Sequence, residues 1–350
     1  MKSMKQKISV RDVAEAAGVS IATVSRALND SGYVSDEVRR RIEEAVRLTG
    51  YIPNYSARQL RTGRSRTIGL MVSNMANPLL AELFAALEFH LYANGYSLLV
   101  ASTYDVPARE AELLAMFEMR RVEAIVVTPS RENFGEDENP YARCKLPLLV
   151  FDRDIDFPAD FVLQDHRAAL RQATRYLASL GHRRIALFGP SLAIRGGRER
   201  LEGYKEGLKS AGLPFDEDLI CMLRSATDQP VAQMEAMLAL KQPPTAMICL
   251  GTPILPAAMN TARQAGRRIP DDLSVIGIGT ERGFALMHPP MTAVRFNLDQ
   301  VARAATELIL RRLEEPAAER LTRIVGFDLV LGETCSPPVA ENAPAMALKT

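Results

Sequence analysis

Apolar residues near the start of the chain recur with the period of a helix. Val10, Val13, Ala14 and Ala17 stand at i, i+3, i+4 and i+7, one stripe that predicts an amphipathic helix ended by Gly18. Ser9-Val10-Arg11-Asp12 ahead of it fits a capping box, in which the hydroxyl satisfies an orphan amide at the helix start. Ser20 caps a second helix on which Val24, Ala27 and Leu28 share a face. A third follows Ser35, with Val38, Ile42, Ala45, Val46 and Thr49 inward and Arg39, Arg40, Arg41 and Glu43 mostly outward, until Gly50. Small residues at Ala14, Ala16 and Ala17 let the first two helices approach closely across the Gly18-Val19-Ser20 turn. That is the helix-turn-helix arrangement, whose second helix enters the major groove of DNA. A plain alanine-rich three-helix bundle would show the same stripes.

From Thr67 the pattern changes to short apolar runs separated by longer amphipathic stretches. Strands are predicted at Ile68–Val72, Ser97–Ala101, Ala124–Thr128, Leu148–Phe151, Ile185–Phe188, Ala246–Leu250 and Ser274–Ile278. Helices are predicted at about 78–94, 107–120, 167–180, 197–211, 229–240, 254–266 and 298–314. Strand-helix alternation predicts doubly wound parallel sheets, and two such sets predict two lobes.

Charge sharpens this division. Residues 1–66 hold thirteen Lys or Arg against seven Asp or Glu, a net of +6, while the whole chain sums to +1, leaving −5 on the rest. A short basic module joined to a larger body suits contact with a polyanion. Cys144, Cys221, Cys249 and Cys335 are far apart, and His90, His166, His182 and His288 have no metal-like spacing, so neither a metal site nor a disulfide framework is expected. Gly189-Pro190 and Gly196-Gly197 make neither a Walker loop nor a dinucleotide fingerprint, and no nucleophile-base pair stands out; no cofactor and no catalytic residue are expected. The N-terminus lacks an apolar signal core and no run approaches a membrane span, so a cytoplasmic protein is expected.

The stretch Val10 to Asn29, VRDVAEAAGVSIATVSRALN, resembles the head of the lactose-repressor/purine-repressor family of bacterial transcription regulators. Gly50-Tyr51-Ile52-Pro53-Asn54 and the segment Arg61 to Leu70 resemble it too, and the similarity continues to about residue 335. The resemblance implies a small all-α helix-turn-helix head followed by an α/β two-lobed, periplasmic-binding-protein-like sensor domain. It places Ile21, Ala22 and Arg26 at base-reading positions and Ser20, Thr23, Ser25 and Asn29 at phosphate positions. The helical wheel sets Ala22 and Arg26 opposite the apolar face; Ile21 lies nearer that face, where a core role and a thymine-methyl contact are equally open, and only the resemblance turns it toward DNA. Residues 54–61 lie between a helix-start and a helix-stop signal. The resemblance makes them a hinge helix that pairs with its copy in the minor groove, with Leu60 as the wedge and Ala57 allowing close approach.

The expected division is a DNA-binding domain at 1–53, a hinge and linker at 54–66, a ligand-binding and dimerisation domain at 67–336 and a disordered tail at 337–350. The chain is expected to cross between lobes near 162–163, 294–295 and 325–326. The family's effector cleft then implicates Leu80, Asp152, Arg153, Arg198, Arg200, Gly279 and Glu281. Where relatives carry acidic or amide groups after two strands, this chain has Gly251-Thr252-Pro253 and Gly279-Thr280-Glu281. Two sugar-hydroxyl acceptors are thus absent, while Arg153, Arg195, Arg198 and Arg200 stand near the cleft, a composition suited to a sugar acid as well as a sugar. The expected partners are double-stranded operator DNA, the effector and a second copy of the chain, with no membrane. A solute-binding transport component would share the two-lobed body but not the basic head.

Overall fold

The computed structural model describes residues 8–29, 32–51, 63–135, 139–224, 228–251, 253–284 and 287–339. The chain forms two compact units, residues 1–65 and 66–350. In the first, the helices are α1 (Val10–Ala17), α2 (Ile21–Asn29) and α3 (Asp36–Thr49). Their stripes meet in one core of Val13, Ala14, Ala17, Val24, Ala27, Ile42 and Ala45. Asp12 anchors the start of α1 by accepting from the Ser9 amide at 2.6 Å and hydroxyl at 2.8 Å. Gly18 and Gly50 end α1 and α3 at φ +62° and +66°, the left-handed conformation that glycine adopts without steric cost.

Arg41 is exposed and Arg39 half-buried, in keeping with the mostly outward placement expected of them, yet both reach a neighbouring helix. Each guanidinium turns back into the head, Arg39 donating to the Ala27 carbonyl and Arg41 to the Ala17 carbonyl. The last carbonyls of a helix lack intrahelical donors and carry the negative end of the dipole, so a cation from a neighbouring helix satisfies both needs.

The second unit holds two six-stranded sheets, each with helices on both faces. Lobe one contains β1 (Thr67–Val72), α4 (Pro78–Ala93), β2 (Ser97–Ser102), α5 (Pro107–Met119), β3 (Ala124–Val127), β4 (Leu148–Phe151) and β5 (Asp160–Gln164). Lobe two contains α6 (His166–Ser179), β6 (Ile185–Gly189), α7 (Arg195–Ser210), β7 (Ile220–Met222), α8 (Val231–Leu238), β8 (Ala246–Cys249), α9 (Ile254–Gln264), β9 (Ser274–Gly279) and β10 (Thr292–Phe296). Then α11 (Leu298–Glu314, following a short α10 at Glu281–Phe284) and β11 (Thr322–Val325) return to lobe one, and β12 (Phe327–Val330) ends in lobe two. The sheet orders are β11-β5-β4-β3-β1-β2 and β12-β10-β9-β8-β6-β7. Among the described residues only the β10–β12 pairing is antiparallel. Strands covered on both faces are continuous apolar runs, which is why β3 (AIVV), β4 (LLVF) and β8 (AMIC) are buried at every position.

The chain passes between lobes at Asp165, Asn297 and Gly326. The positions 162–163 and 294–295 fall inside β5 and β10, because those strands run on to Gln164 and Phe296 before the chain turns. The first two passages double as helix caps: the Asp165 carboxylate accepts from the Ala168 amide at 3.0 Å and the Asn297 side chain from the Gln300 amide at 3.2 Å. Each cap stops a strand of one lobe and starts a helix packed on the other.

In lobe two α6 and α7 pack through glycines. A Cβ at Gly203 would overlap the Arg167 carbonyl, and one at Gly207 would overlap the Thr174 side chain. This close approach fixes the two helices against each other, and their N-terminal halves carry His166, Arg195, Arg198 and Arg200.

Candidate functional site

The second helix of the head presents its polar side at its N-terminal end. Ser20 accepts from the Thr23 amide at 3.1 Å and shares a 2.9 Å hydrogen bond with the Thr23 hydroxyl, which starts α2. With Val24 and Ala27 buried, the helix turns Ala22 and Arg26 to solvent, and Ile21 is 42% exposed. Ile21 therefore lies outside the head core, the alternative its wheel position had left open. Thr23 and Ser25 are half-buried beside them. Ser20, Ile21, Ala22 and Thr23 thus form an outward surface at the positive end of the helix dipole, and Arg26 adds a guanidinium donor from the last turn of the same helix. The side chain of Asn29, and the whole of 52–62 with Ala57 and Leu60, lie outside the described residues.

In the body, polar side chains converge where the two lobes face each other beyond the carboxyl ends of their strands, the place where open α/β sheets bind ligands. Asp152 follows β4 with φ +51°, an uncommon conformation for a residue with a Cβ. Its Oδ1 accepts from the Gln164 amide at 3.2 Å and from Arg195 Nη1 at 3.2 Å. Its Oδ2 lies 2.7 Å from His166 Nε2, and Arg200 Nε donates to His166 Nδ1 at 3.2 Å. Because Nδ1 accepts from Arg200, the ring proton resides on Nε2 and His166 donates to Asp152. A carboxylate of lobe one thus holds a histidine of lobe two, and that histidine orients a buried arginine.

Around this line run further contacts between lobes. Glu132 Oε1 accepts from the Arg195 amide and Oε2 from Arg198 Nη2, both at 2.7 Å. Asp154 pairs with Arg198 at 2.9 Å and with Arg195 at 3.4 Å. On another pair of elements, the Thr280 hydroxyl donates to Glu82 Oε1 of α4 at 2.7 Å and accepts from the Gly283 amide at 3.1 Å. Gln164 is fully buried, and neither its Oε1 nor its Nε2 has a protein partner among the described residues.

Burial sets the protonation of the cluster. It lowers the pKa of His166, with Arg200 acting in the same direction and Asp152 opposing, so the ring is neutral near pH 7. It lowers Arg200 to about 10, aided by Arg153, while Asp152 opposes. For Asp152 burial alone would raise the pKa; His166, Arg153 and Arg200 outweigh it and hold the carboxyl below its ordinary value.

Asp152, Arg153, Arg198 and Arg200 come together here. Arg153 is braced by the Pro129 and Asp152 carbonyls, both at 2.9 Å. Leu80 and Glu281 are placed elsewhere. Leu80 is 8% exposed and packs with Leu83, Leu87 and Leu91 in the lobe-one core, because the apolar stripe of α4 turns it to the sheet. Glu281 points outward, its side chain 84% exposed and 3.5 Å from Arg295. Its neighbour Thr280 takes the inward position, a one-residue difference at the end of a strand. At Gly279 a Cβ would overlap the Phe284 ring, so this glycine serves packing. Glu132, Gln164 and His166 belong to the cluster without having been expected there. A turn residue, a strand end and a helix start carry no periodic signal, and only His166 had drawn attention, as one of four scattered histidines.

A cavity of about 610 Å³ lies apart from this cluster, between α5 and the residues Arg131, Phe134, Asn139, Pro140, Arg143 and Cys144, with Ala111 and Leu114 also in its wall. No group of three or more His, Cys, Asp or Glu arranged to hold a metal occurs among the described residues, and no helix there is long and apolar enough to cross a membrane.

Comparison with known proteins places both halves. Residues 9–54 match a family model described as bacterial regulatory proteins, lacI family, and residues 174–335 one described as a periplasmic binding protein-like domain. The HTH-type transcriptional regulator DegA of Bacillus subtilis is 30% identical over 291 residues, covering 82% of this chain and 86% of its own. The HTH-type transcriptional repressor PurR of Vibrio cholerae is 29% identical over 313 residues, covering 89% and 93%. Among solved structures, the Lac repressor dimer bound to operator and the anti-inducer ONPF superposes with a TM-score of 0.81 at 25% identity, covering 95% of this chain and 100% of that one. The complex of the transcriptional regulator CelR with cellobiose gives 0.70 at 26%, covering 93% and 99%. A helical head with an outward polar helix, a two-lobed body with a polar cleft, and relatives that match across both identify the chain as a member of the lacI family of bacterial regulatory proteins, a ligand-responsive, DNA-binding transcription regulator.

Proposed function

We propose that this regulator binds a palindromic duplex operator as a homodimer and that a sugar or sugar acid in the interlobe cleft controls its affinity. The observation that carries the effector reading is the Asp152–His166–Arg200 line, a buried polar connection between lobes at the carboxyl ends of their strands. A molecule held there changes the relative free energies of open and closed arrangements, which is how a bound ligand shifts an equilibrium at a distance. The relatives and neighbours include a ribose operon repressor of Haemophilus influenzae and the cellobiose complex of CelR, which supports a sugar-sized effector.

The arginines bear unequally on effector charge. Arg195 and Arg198 are paired with Asp152, Glu132 and Asp154, so the case for an acid rests on Arg153 and Arg200. On DNA, Ile21, Ala22 and Arg26 read bases while Ser20, Thr23, Ser25 and Asn29 meet phosphates; residues 54–66 form the hinge, where Ala57 permits pairing and Leu60 wedges a base step. The head spans 1–53, and 67–336 carry the effector and the dimer contacts.

The test is a thermal-shift screen of sugars and sugar acids, followed by operator footprinting with each hit. A stabilising sugar or sugar acid that also changes footprint affinity supports the reading. Stabilisation by neutral sugars alone removes the acid, and stabilisation by neither class overturns the proposed effector.

A further inference from the structure

Helix α7 begins without a cap of its own. Its N-cap residue is Ile194, whose side chain offers no acceptor, and its first turn contains no acidic residue. Four amides at a helix start need acceptors, and a carboxylate is the group best matched to them. Glu132 supplies that carboxylate from the opposite lobe, taking the Arg195 amide on one oxygen and Arg198 on the other. Its side chain is 2% exposed, the deepest burial of any acid in these interlobe contacts.

The segment that carries Glu132 is braced on its own lobe. The Ser130 amide donates to Glu110 Oε1 at 2.6 Å, and the Pro129 carbonyl accepts from Arg153 at 2.9 Å. On the other side the turn before α7 is equally constrained, since a Cβ at Gly197 would overlap the Ser191 carbonyl. A rigidly mounted anion therefore meets a rigidly mounted receptor, and the two are joined only when the lobes are closed.

We propose that Glu132 is the closure latch of the cleft, an anion tethered to lobe one and seated on the uncapped start of α7. As a positioning residue it acts on effector through lobe closure, and this regulatory role rests on the cleft being the effector site. Opening the lobes strips the latch from the Arg195 amide and from Arg198 and leaves a carboxylate receptor bare. It follows that a small free carboxylate can replace the Glu132 side chain once that side chain is removed.

The experiment is amide hydrogen exchange on the full chain with Glu132→Ala and Glu132→Gln. In the Ala variant, exchange in the first turn of α7 rises about tenfold or more, the scale of losing a charge-assisted hydrogen bond, while β8 and β9 keep wild-type protection. Acetate restores protection in that turn of the variant beyond what chloride does at equal ionic strength, and leaves the wild type unchanged. The Gln variant, which keeps an acceptor for the Arg195 amide but loses the charge facing Arg198, falls between. Unchanged exchange in the Ala variant, a rise shared by β8 and β9, or acetate no better than chloride would each overturn the latch. The sugar or sugar acid that stabilises the wild-type chain is then titrated into the Ala variant. Weaker binding extends the latch to effector control, whereas undiminished binding with the exchange result intact overturns that regulatory role and leaves Glu132 as a lobe contact; failure of the cleft reading itself is registered separately, by the absence of any stabilising sugar or sugar acid for the wild-type chain.

Discussion

Replacing Asp152 by Asn removes one charge and changes little in volume, yet three donors converge on that carboxylate: the Gln164 amide, Arg195 and His166. Asparagine has only one oxygen, so its NH2 group must face either Arg195 or the Nε2–H of His166. The ring cannot adapt by moving its proton, because its Nδ1 accepts from Arg200. Removing one partner of a buried ion pair costs ~3–5 kcal/mol, and Arg195 keeps the Gln164 carbonyl and Asp154, so a loss of about 3 kcal/mol is expected. The chain has no Trp, so urea unfolding followed by far-UV circular dichroism is the suitable measurement.

The same variant has a pH signature. A histidine whose folded pKa lies below its unfolded value of 6.5 binds more protons unfolded, so its contribution falls as pH drops below 6.5. In the wild type Asp152, ionised throughout because its pKa lies below 3.8, partly resists that fall. In the variant burial and Arg200 act unopposed, so the stability gap between the two proteins should widen from pH 7.5 to pH 5.5. A cost below about 1 kcal/mol at pH 7.5, or a gap that narrows on acidification, would refute the tautomer and the charge reasoning together.

Arg26→Ala should relax preference at one base pair per half-site, a discrimination of ~1–3 kcal/mol for a bidentate guanine contact; an unchanged consensus in a binding-site selection would remove its base-reading role. Leu60→Ala should weaken operator binding and reduce bending in a circular-permutation assay while sparing effector affinity, and full bending in the variant would discard the wedge. Arg41→Gln deprives the Ala17 carbonyl of its cationic donor and should destabilise the head by ~0.5–2 kcal/mol in thermal melts, with the body transition unmoved.

Much of the architecture is a local property of the chain and could be read without coordinates. The stripe of Val10, Val13, Ala14 and Ala17 determines the buried face of α1, and runs such as Leu148 to Phe151 determine strands, because burial of one face or of both imposes its own period on neighbouring residues. The basic head, the capped helices and the alternation that makes two lobes follow from the same short windows. What tertiary structure alone decided is which charges meet. Glu132 and Arg198 are 66 residues apart, Glu82 and Thr280 are 198 apart, and nothing within either neighbourhood marks its partner. Arg195 and Arg198, which the sequence offers as cleft cations for an effector, are neutralised by acids of the opposite lobe, and Thr280 rather than Glu281 faces inward. Periodicity records which side of an element is buried. It holds no record of what a buried polar group touches, because three chain crossings bring together two lobes that are each patterned for their own core.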